Sequence, residues 1–220
     1  MVYRVGEDSG GFFSGVGIHP MDIQEPFTDL TYQQLRDVAT SSEKVLAISE
    51  IGLDFMDGTP DRAMQYHAFR EQVRLARELK LPIVFHSRQS HDETLRVLRE
   101  EKAYEVGGVM HYFQADEATA KAAIDLGFYI SLARPLLRLP RLQALAARLP
   151  LEHIVLETDA APQPFKAKRE NWTEPRHVRD IAEKLASLQG RPFQEVEHTT
   201  TRNAVKMLGS RWQAATGHRS

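Results

Sequence analysis

Four side chains that can bind a metal ion or accept a proton each lie at or just after the end of a short apolar segment. They are Glu50, His86, His111 and Asp159. In parallel α/β folds the carboxyl ends of the strands meet at one edge or mouth, where functional residues gather. Neutral imidazole and carboxylate oxygen suit Zn²⁺, Mn²⁺ or, with more oxygen ligands, Mg²⁺. The pattern predicts a metal site that activates water for hydrolysis, and two ions about 3.5–4 Å apart can also clamp a phosphate.

Each of these residues also has a purely structural interpretation. A histidine at the end of a buried strand is often only hydrogen-bonded within the fold, and an acidic residue there can cap the next helix. Asp159 and Glu50 both fit the capping interpretation. Four separate strand ends that all carry such residues nevertheless favour a metal or general acid–base site.

Two further residues are candidates for contact with a substrate. His19 stands in the string Gly17-Ile18-His19-Pro20, where it either contacts substrate or caps a loop. Arg88 could bind a phosphate oxygen through two hydrogen bonds, or it could form a surface ion pair with Asp92 or Glu93.

Other polar residues have weaker claims. Asp54 either orients a ligand histidine or serves a turn, and Glu157 is expected to point away from the metal. The basic residues 166–169, followed by Trp172, either contact a nucleic acid or form a solvated loop. The remaining histidines are expected to be structural or at the surface: His67, His91, His153, His177, His198 and His218.

These candidates are positioned by β-rich segments that alternate with helical ones. The predicted strands are residues 13–18, 45–48, 83–85, 108–110, 128–132 and 154–156. The predicted helices, in which apolar residues recur three and four positions apart, are residues 30–41, 62–79, 91–100, 117–126, 139–149, 174–188 and 193–207. This alternation predicts a parallel sheet covered by helices, either doubly wound or closed into a barrel.

Composition narrows the class of protein. The 220 residues are 42% hydrophobic and 26% charged, which predicts one domain over residues 1–209 and a frayed polar tail over 210–220. The absence of cysteine excludes disulfides and thiolate metal sites. A net charge of −2 gives no overall attraction for nucleic acid. The chain has no signal-peptide pattern and no apolar run near the roughly 18 residues of a membrane span, so we expect a cytoplasmic protein without a membrane partner, most simply a monomer.

The same segments resemble the TatD-like metal-dependent hydrolases. The matching strings occur in the family's order and extend from residue 15 to about 208. They are Gly17-Ile18-His19-Pro20, Glu50-Ile51-Gly52-Leu53-Asp54, Pro82-Ile83-Val84-Phe85-His86-Ser87-Arg88, Gly108-Val109-Met110-His111-Tyr112-Phe113, Leu156-Glu157-Thr158-Asp159-Ala160, Arg169-Glu170-Asn171 and Glu174-Pro175.

The resemblance implies a (β/α) TIM-type barrel of the amidohydrolase kind with a two-metal centre. By this resemblance Glu50 would bridge the metals, His86 and His111 would be ligands, and Asp159 would bind metal and act as the base toward water. Members of the family are typically Mg- or Mn-dependent deoxyribonucleases, often acting from the 3′ end. The implied cofactor is therefore a pair of divalent ions, and the implied partner is DNA.

The sequence departs from the family pattern at its start. The family begins with a strand carrying His-x-His, whereas residues 1–11 contain no histidine. The six predicted strands are two fewer than the eight of a closed barrel, so the barrel is expected to lack its first two. We expect a start at an internal methionine, with a truncated family member or a barrel completed by a partner as the alternatives. Tyr112 and Gln114 also stand where smaller residues are common in the family.

The expected function is metal-dependent hydrolysis of phosphodiester bonds in DNA, with Arg88 and His19 steadying the phosphate. A hydrolase of a small ester, lactone or amide is an alternative, because the same activated water attacks a carbonyl carbon. A catalytically impaired truncated paralogue, acting as a binding or assembly module, is another.

Overall fold

A computed structural model describes residues 12–160 and 172–216, in which six strands alternate with helices. The strands are β1 (Ser14–Val16), β2 (Val45–Asp54), β3 (Ile83–Arg88), β4 (Gly108–Met110), β5 (Phe128–Leu132) and β6 (Ile154–Leu156). The helices are α1 (Asp29–Thr40), α2 (Arg62–Leu79), α3 (His91–Glu100), α4 (Glu117–Asp125), α5 (Pro140–Ala146), α6 (Val178–Gln189) and α7 (Phe193–Thr216). The basic residues 166–169 and the string 169–171 lie outside the described part.

The sheet is parallel throughout and its strand order follows the chain, β1-β2-β3-β4-β5-β6. A doubly wound sheet reverses its order at a switch point, so the consecutive order is that of a (β/α) barrel. Within the described residues β1 and β6 each pair with one strand, and the sheet is open between them. The predicted α/β fold of the barrel kind is confirmed, with six parallel strands in the described residues.

Apolar side chains of the strands and of the inward faces of the helices form one core. Phe85 of β3 and Phe128 of β5 are buried and meet edge to face, with ring centroids 5.2 Å apart. Phe69 and Val73 of α2 are fully buried in the same cluster. Burial of each such side chain contributes about 1.5–3 kcal/mol to the stability of the fold. This packing holds in place the strand ends that carry the polar residues.

Two strands extend further than the sequence predicts. Polar Ser49 and Glu50 interrupt the apolar run of β2, but the strand continues to Asp54 because its second half pairs with β3. Gly52 permits this pairing, since a Cβ there would lie 2.0 Å from the His86 carbonyl oxygen. The expectation that Glu50 and His86 follow their strands is therefore wrong: both lie within them.

The C-terminal helix also runs further than expected. Residues 210–216 belong to α7, beyond a kink at Gly209 where φ is +61°, so the expectation of a frayed tail is wrong over this stretch. Packing explains the difference, because the Trp212 ring lies 5.0 Å from the Phe13 ring beside β1. Earlier in α7, the Asn203 amide donates to the carbonyl oxygens of Leu151 and Ile154, at 2.9 and 2.8 Å. In the described ranges no helix has the length and apolar character needed to cross a membrane.

Candidate metal centre

The predicted site residues all line one cavity at the carboxyl ends of the strands. It has a volume of about 630 Å³. The predicted residues that line it are His19, Glu50, His86, Arg88, His111 and Asp159. The convergence that the sequence pattern predicted is present in the fold.

Glu50 lies at the centre of the cluster. Its Oε1 atom is 3.2 Å from Nδ1 of His86 and 3.5 Å from Nε2 of His111. Two ligands bound to one metal ion at about 2.0–2.2 Å lie roughly 3.0–3.5 Å from each other. The same His111 nitrogen is 3.9 Å from Oδ1 of Asp159, which places a second carboxylate beside it. The donor set therefore fits divalent metal.

The two carboxylates of the cluster have opposite electrostatic environments. Burial alone would raise the pKa of Glu50, but the hydrogen bond with His86 and the charge of His111 hold it below its ordinary value. Burial raises the pKa of Asp159, and the neighbouring carboxylates add to this effect despite the opposing charge of His111. Pairs of groups whose pKa values are pushed apart can divide ligand and proton-transfer roles between them.

Glu157 fixes the orientation of His111. Its Oε2 atom lies 2.7 Å from Nδ1 of His111, and its Oε1 accepts the backbone N–H of Tyr112 at 2.6 Å. Burial lowers the pKa of His111, but the hydrogen bond and charge of Glu157, together with Glu50, raise it to about 9. With Nδ1 committed to Glu157, Nε2 faces Glu50 and Asp159. Carboxylate–histidine pairs of this kind orient metal ligands, a role that the sequence pattern did not reveal for Glu157.

Asp54 orients His86 as Glu157 orients His111, but it contacts Nε2 of the ring instead of Nδ1. Its Oδ2 atom lies 2.8 Å from Nε2 of His86, so Nδ1 faces Glu50. Asp54 is buried, and it also accepts the Met56 amide at 3.1 Å and pairs with Nη2 of Arg88 at 2.7 Å. Both interpretations of Asp54 have a contact in the structure, because one oxygen orients His86 and the other accepts an amide of the turn that follows. Arg88 forms its ion pair with Asp54. The alternative interpretation, a surface pair with Asp92 or Glu93, does not occur among the described ion pairs.

His19 differs from the other two histidines. His19, Glu50 and His86 offer ligand atoms within 4.8 Å of one another, a separation that a metal could bridge. However, Nδ1 of His19 accepts the Met21 amide at 3.1 Å. Burial, against the charge of Glu50, lowers the pKa of His19. An imidazole that accepts a hydrogen bond at Nδ1 carries its proton on Nε2, so His19 presents a hydrogen-bond donor to the cavity.

Two buried glutamines of α2 hold the chain segments that carry site residues. Gln72 Oε1 accepts the Ile18 amide at 2.6 Å and its Nε2 donates to the Ile18 carbonyl at 3.2 Å, directly before His19. Gln65 pairs in the same way with both backbone groups of Asp54, at 2.8 and 2.9 Å. The residues are seven positions apart and so share one face of the helix. In the sequence, the one sign of these contacts is the presence of glutamine among the apolar residues of the buried helix face.

Three cavity residues that are not glycine have a left-handed backbone. They are Gln89, Tyr112 and Asp159, with φ of 54°, 47° and 51°. Such conformations cost about 1–3 kcal/mol and cluster at functional sites.

His91, expected at the surface or in a structural role, lies in the cavity wall with its Nδ1 2.8 Å from the Ser87 hydroxyl.

A barrel-type parallel sheet with imidazoles and carboxylates gathered at its carboxyl ends defines a class of metal-dependent hydrolases. The model of the family described as TatD related DNase matches residues 2–209, and the chain belongs to this family. It is accordingly a hydrolase of the metal-dependent kind.

Individual relatives agree with this assignment. YcfH of Escherichia coli (strain K12), described as an uncharacterized metal-dependent hydrolase, is 36% identical over 209 residues, which cover 93% of this chain and 76% of YcfH. The 3′-5′ ssDNA/RNA exonuclease TatD of Cronobacter sakazakii is 34% identical, covering 90% of this chain and 77% of that protein. The crystal structure of YJJV, a TatD homolog from Escherichia coli K12, superposes with a TM-score of 0.81 at 27% identity, covering 92% of this chain and 78% of YJJV.

Proposed function

We propose that this chain hydrolyses phosphodiester bonds in DNA with divalent metal held by Glu50, His86, His111 and Asp159. The observation that carries the proposal is the approach of His86 Nδ1 and His111 Nε2 to one oxygen of Glu50, at 3.2 and 3.5 Å. The name of the Cronobacter sakazakii relative, a 3′-5′ ssDNA/RNA exonuclease, supports a nucleic-acid substrate attacked from its 3′ end.

The proposed metals are two Mg²⁺ or Mn²⁺ ions, with Zn²⁺ as the alternative. Divalent metal in such a site supplies an activated water and neutralises phosphate charge. Glu50, at the centre of the cluster, would bridge the two positions. His86 and His111 are held ready because Asp54 and Glu157 occupy their outward nitrogens.

Asp159 would accept the proton from the attacking water. Its side chain is half exposed, with a relative accessibility of 53%, so it reaches the open part of the cavity where substrate enters. Burial raises its pKa, and a more basic carboxylate is the better proton acceptor of the two in the cluster.

His19 and Arg88 would bind the phosphate. The Nε2–H of His19 points into the cavity, 3.8 Å from Oε1 of Glu50, and can donate to a phosphate oxygen. Arg88 is anchored by Asp54, and its side chain remains 47% exposed at the cavity wall. An anchored guanidinium with free N–H groups suits a phosphate oxygen.

The test is cleavage of 3′-labelled and 5′-labelled single-stranded DNA by the purified protein with Mg²⁺, Mn²⁺ or Zn²⁺ and with EDTA. We expect EDTA-sensitive cleavage that the Glu50→Gln variant loses and that Glu43→Gln, at an exposed position, retains. Cleavage of 4-nitrophenyl esters or lactones without cleavage of DNA would favour the small-ester hydrolase. No hydrolysis of either with any metal would favour the impaired paralogue.

A further inference from the structure

One aromatic side chain, that of Tyr112, lines the cavity, and the proposed chemistry gives it no role. Tyr112 follows His111 directly, and its ring lines the same cavity as Glu50 and Asp159. Among the described residues that line it, Tyr112 is the single phenylalanine, tyrosine or tryptophan. Its side chain is partly exposed rather than buried in the core.

The backbone of Tyr112 is held in a conformation that a bulky residue rarely adopts. Its φ is +47°, in the left-handed region where a large side chain is an outlier. Glu157 secures this conformation by accepting the Tyr112 N–H at 2.6 Å while also holding His111. Strain of this kind persists where the surrounding structure over-determines it, and it is common at functional sites.

The Tyr112 ring lies beside the ring of a proposed metal ligand. Its centroid is 5.8 Å from that of the His111 ring, with 34° between the planes. Arg88 and Arg141 line the same cavity and supply positive charge. A phosphate at the metal ligands would thus have cationic side chains and one aromatic surface within the same cavity.

We propose that Tyr112 is a stacking platform for the nucleobase next to the phosphate, which makes the ligand class nucleotides rather than plain phosphate esters. The proposal rests on the proposed function, because it places the phosphate at the same metal site. Aromatic side chains bind bases by stacking with little regard to sequence, so the ring favours a base without selecting which base.

The test compares two probes that share the sugar and its 5-phosphate and of which only one carries a base. Thymidine 5′-monophosphate and 2-deoxyribose 5-phosphate are titrated in Mg²⁺ into the wild type, Tyr112→Ala, Tyr112→Phe and the exposed-tyrosine control Tyr104→Ala. We expect the wild type to prefer the nucleotide about tenfold. Tyr112→Phe and Tyr104→Ala keep this preference, and Tyr112→Ala reduces it to about onefold.

Equal binding of the two probes by the wild type, or an unchanged preference in Tyr112→Ala, would overturn the stacking role. DNA cleavage by the same preparations is measured separately. A base preference without DNA cleavage removes the proposed function but leaves a nucleotide site at Tyr112. DNA cleavage without a base preference removes the stacking role of Tyr112 but leaves the proposed function.

Discussion

Nδ1 of His111 lies 2.7 Å from Oε2 of Glu157, and this contact determines which nitrogen of the histidine faces Glu50. The same glutamate holds the backbone of Tyr112. Glu157 therefore positions both a proposed metal ligand, His111, and the backbone of the aromatic residue that lines the cavity, Tyr112.

Replacing Glu157 with glutamine removes the charge that favours the Nδ1–H form of His111. We expect affinity for Mn²⁺ to fall about 10–100-fold, measured by isothermal titration calorimetry. Glu152→Gln, at an exposed position, serves as the matched control. An unchanged affinity in Glu157→Gln would show that Glu157 does not orient a ligand.

Metal binding should release a proton. In the metal-free protein the pKa of His111 is raised to about 9, so the ring is protonated at neutral pH and the proton must leave before Nε2 can bind metal. Apparent metal affinity is then expected to rise about tenfold per pH unit up to about pH 9. Calorimetry in two buffers of different ionisation enthalpy measures the release. Zero protons released at pH 7 would contradict His111 as a ligand.

The same shift predicts how the metal-free fold depends on pH. Because the folded-state pKa of His111 is raised from 6.5 to about 9, its stabilising contribution is complete below pH 6.5 and is lost as pH rises through about 9. The melting temperature of the metal-free wild type should therefore exceed that of Glu157→Gln most at low pH. A difference that grows between pH 6.5 and 9.5 would contradict this assignment.

Gln72 is expected to matter for both stability and substrate binding. Gln72→Leu roughly keeps the side-chain volume but leaves the Ile18 amide without its partner, which costs about 1–3 kcal/mol. Urea unfolding measures the loss, with the exposed Gln33→Leu as control. Because Ile18 precedes His19, KM for DNA should also rise in Gln72→Leu. An unchanged KM would leave Gln72 with a structural role alone.

Asp159→Asn removes the proposed proton acceptor. We expect metal-dependent DNA cleavage to fall about 10²–10⁴-fold, with the far-ultraviolet circular dichroism spectrum nearly unchanged. His86→Ala should lower activity by orders of magnitude through loss of a ligand. His198→Ala, at an exposed position on α7, should behave as the wild type. Full activity in both site variants would refute the ligand assignment.

The sequence was sufficient to place the four central residues because each follows or interrupts an apolar strand, and parallel strands bring their carboxyl ends together. It could not show that Glu50 and His86 lie inside their strands, since that depends on pairing between β2 and β3 made possible at Gly52. The roles of Glu157 and Gln72 depend on contacts 46 and 54 residues apart, which no local pattern encodes. α7 continues past Gly209 because Trp212 has a distant partner in Phe13.

The most direct test of the metal centre is metal content measured by inductively coupled plasma mass spectrometry on the protein after equilibration with Mn²⁺, together with its cleavage of DNA. We expect about two ions per chain and EDTA-sensitive cleavage, with both reduced in Glu50→Gln and unchanged in Glu43→Gln. Wild-type metal content in Glu50→Gln, or DNA cleavage that persists in EDTA, would contradict a metal centre built on Glu50.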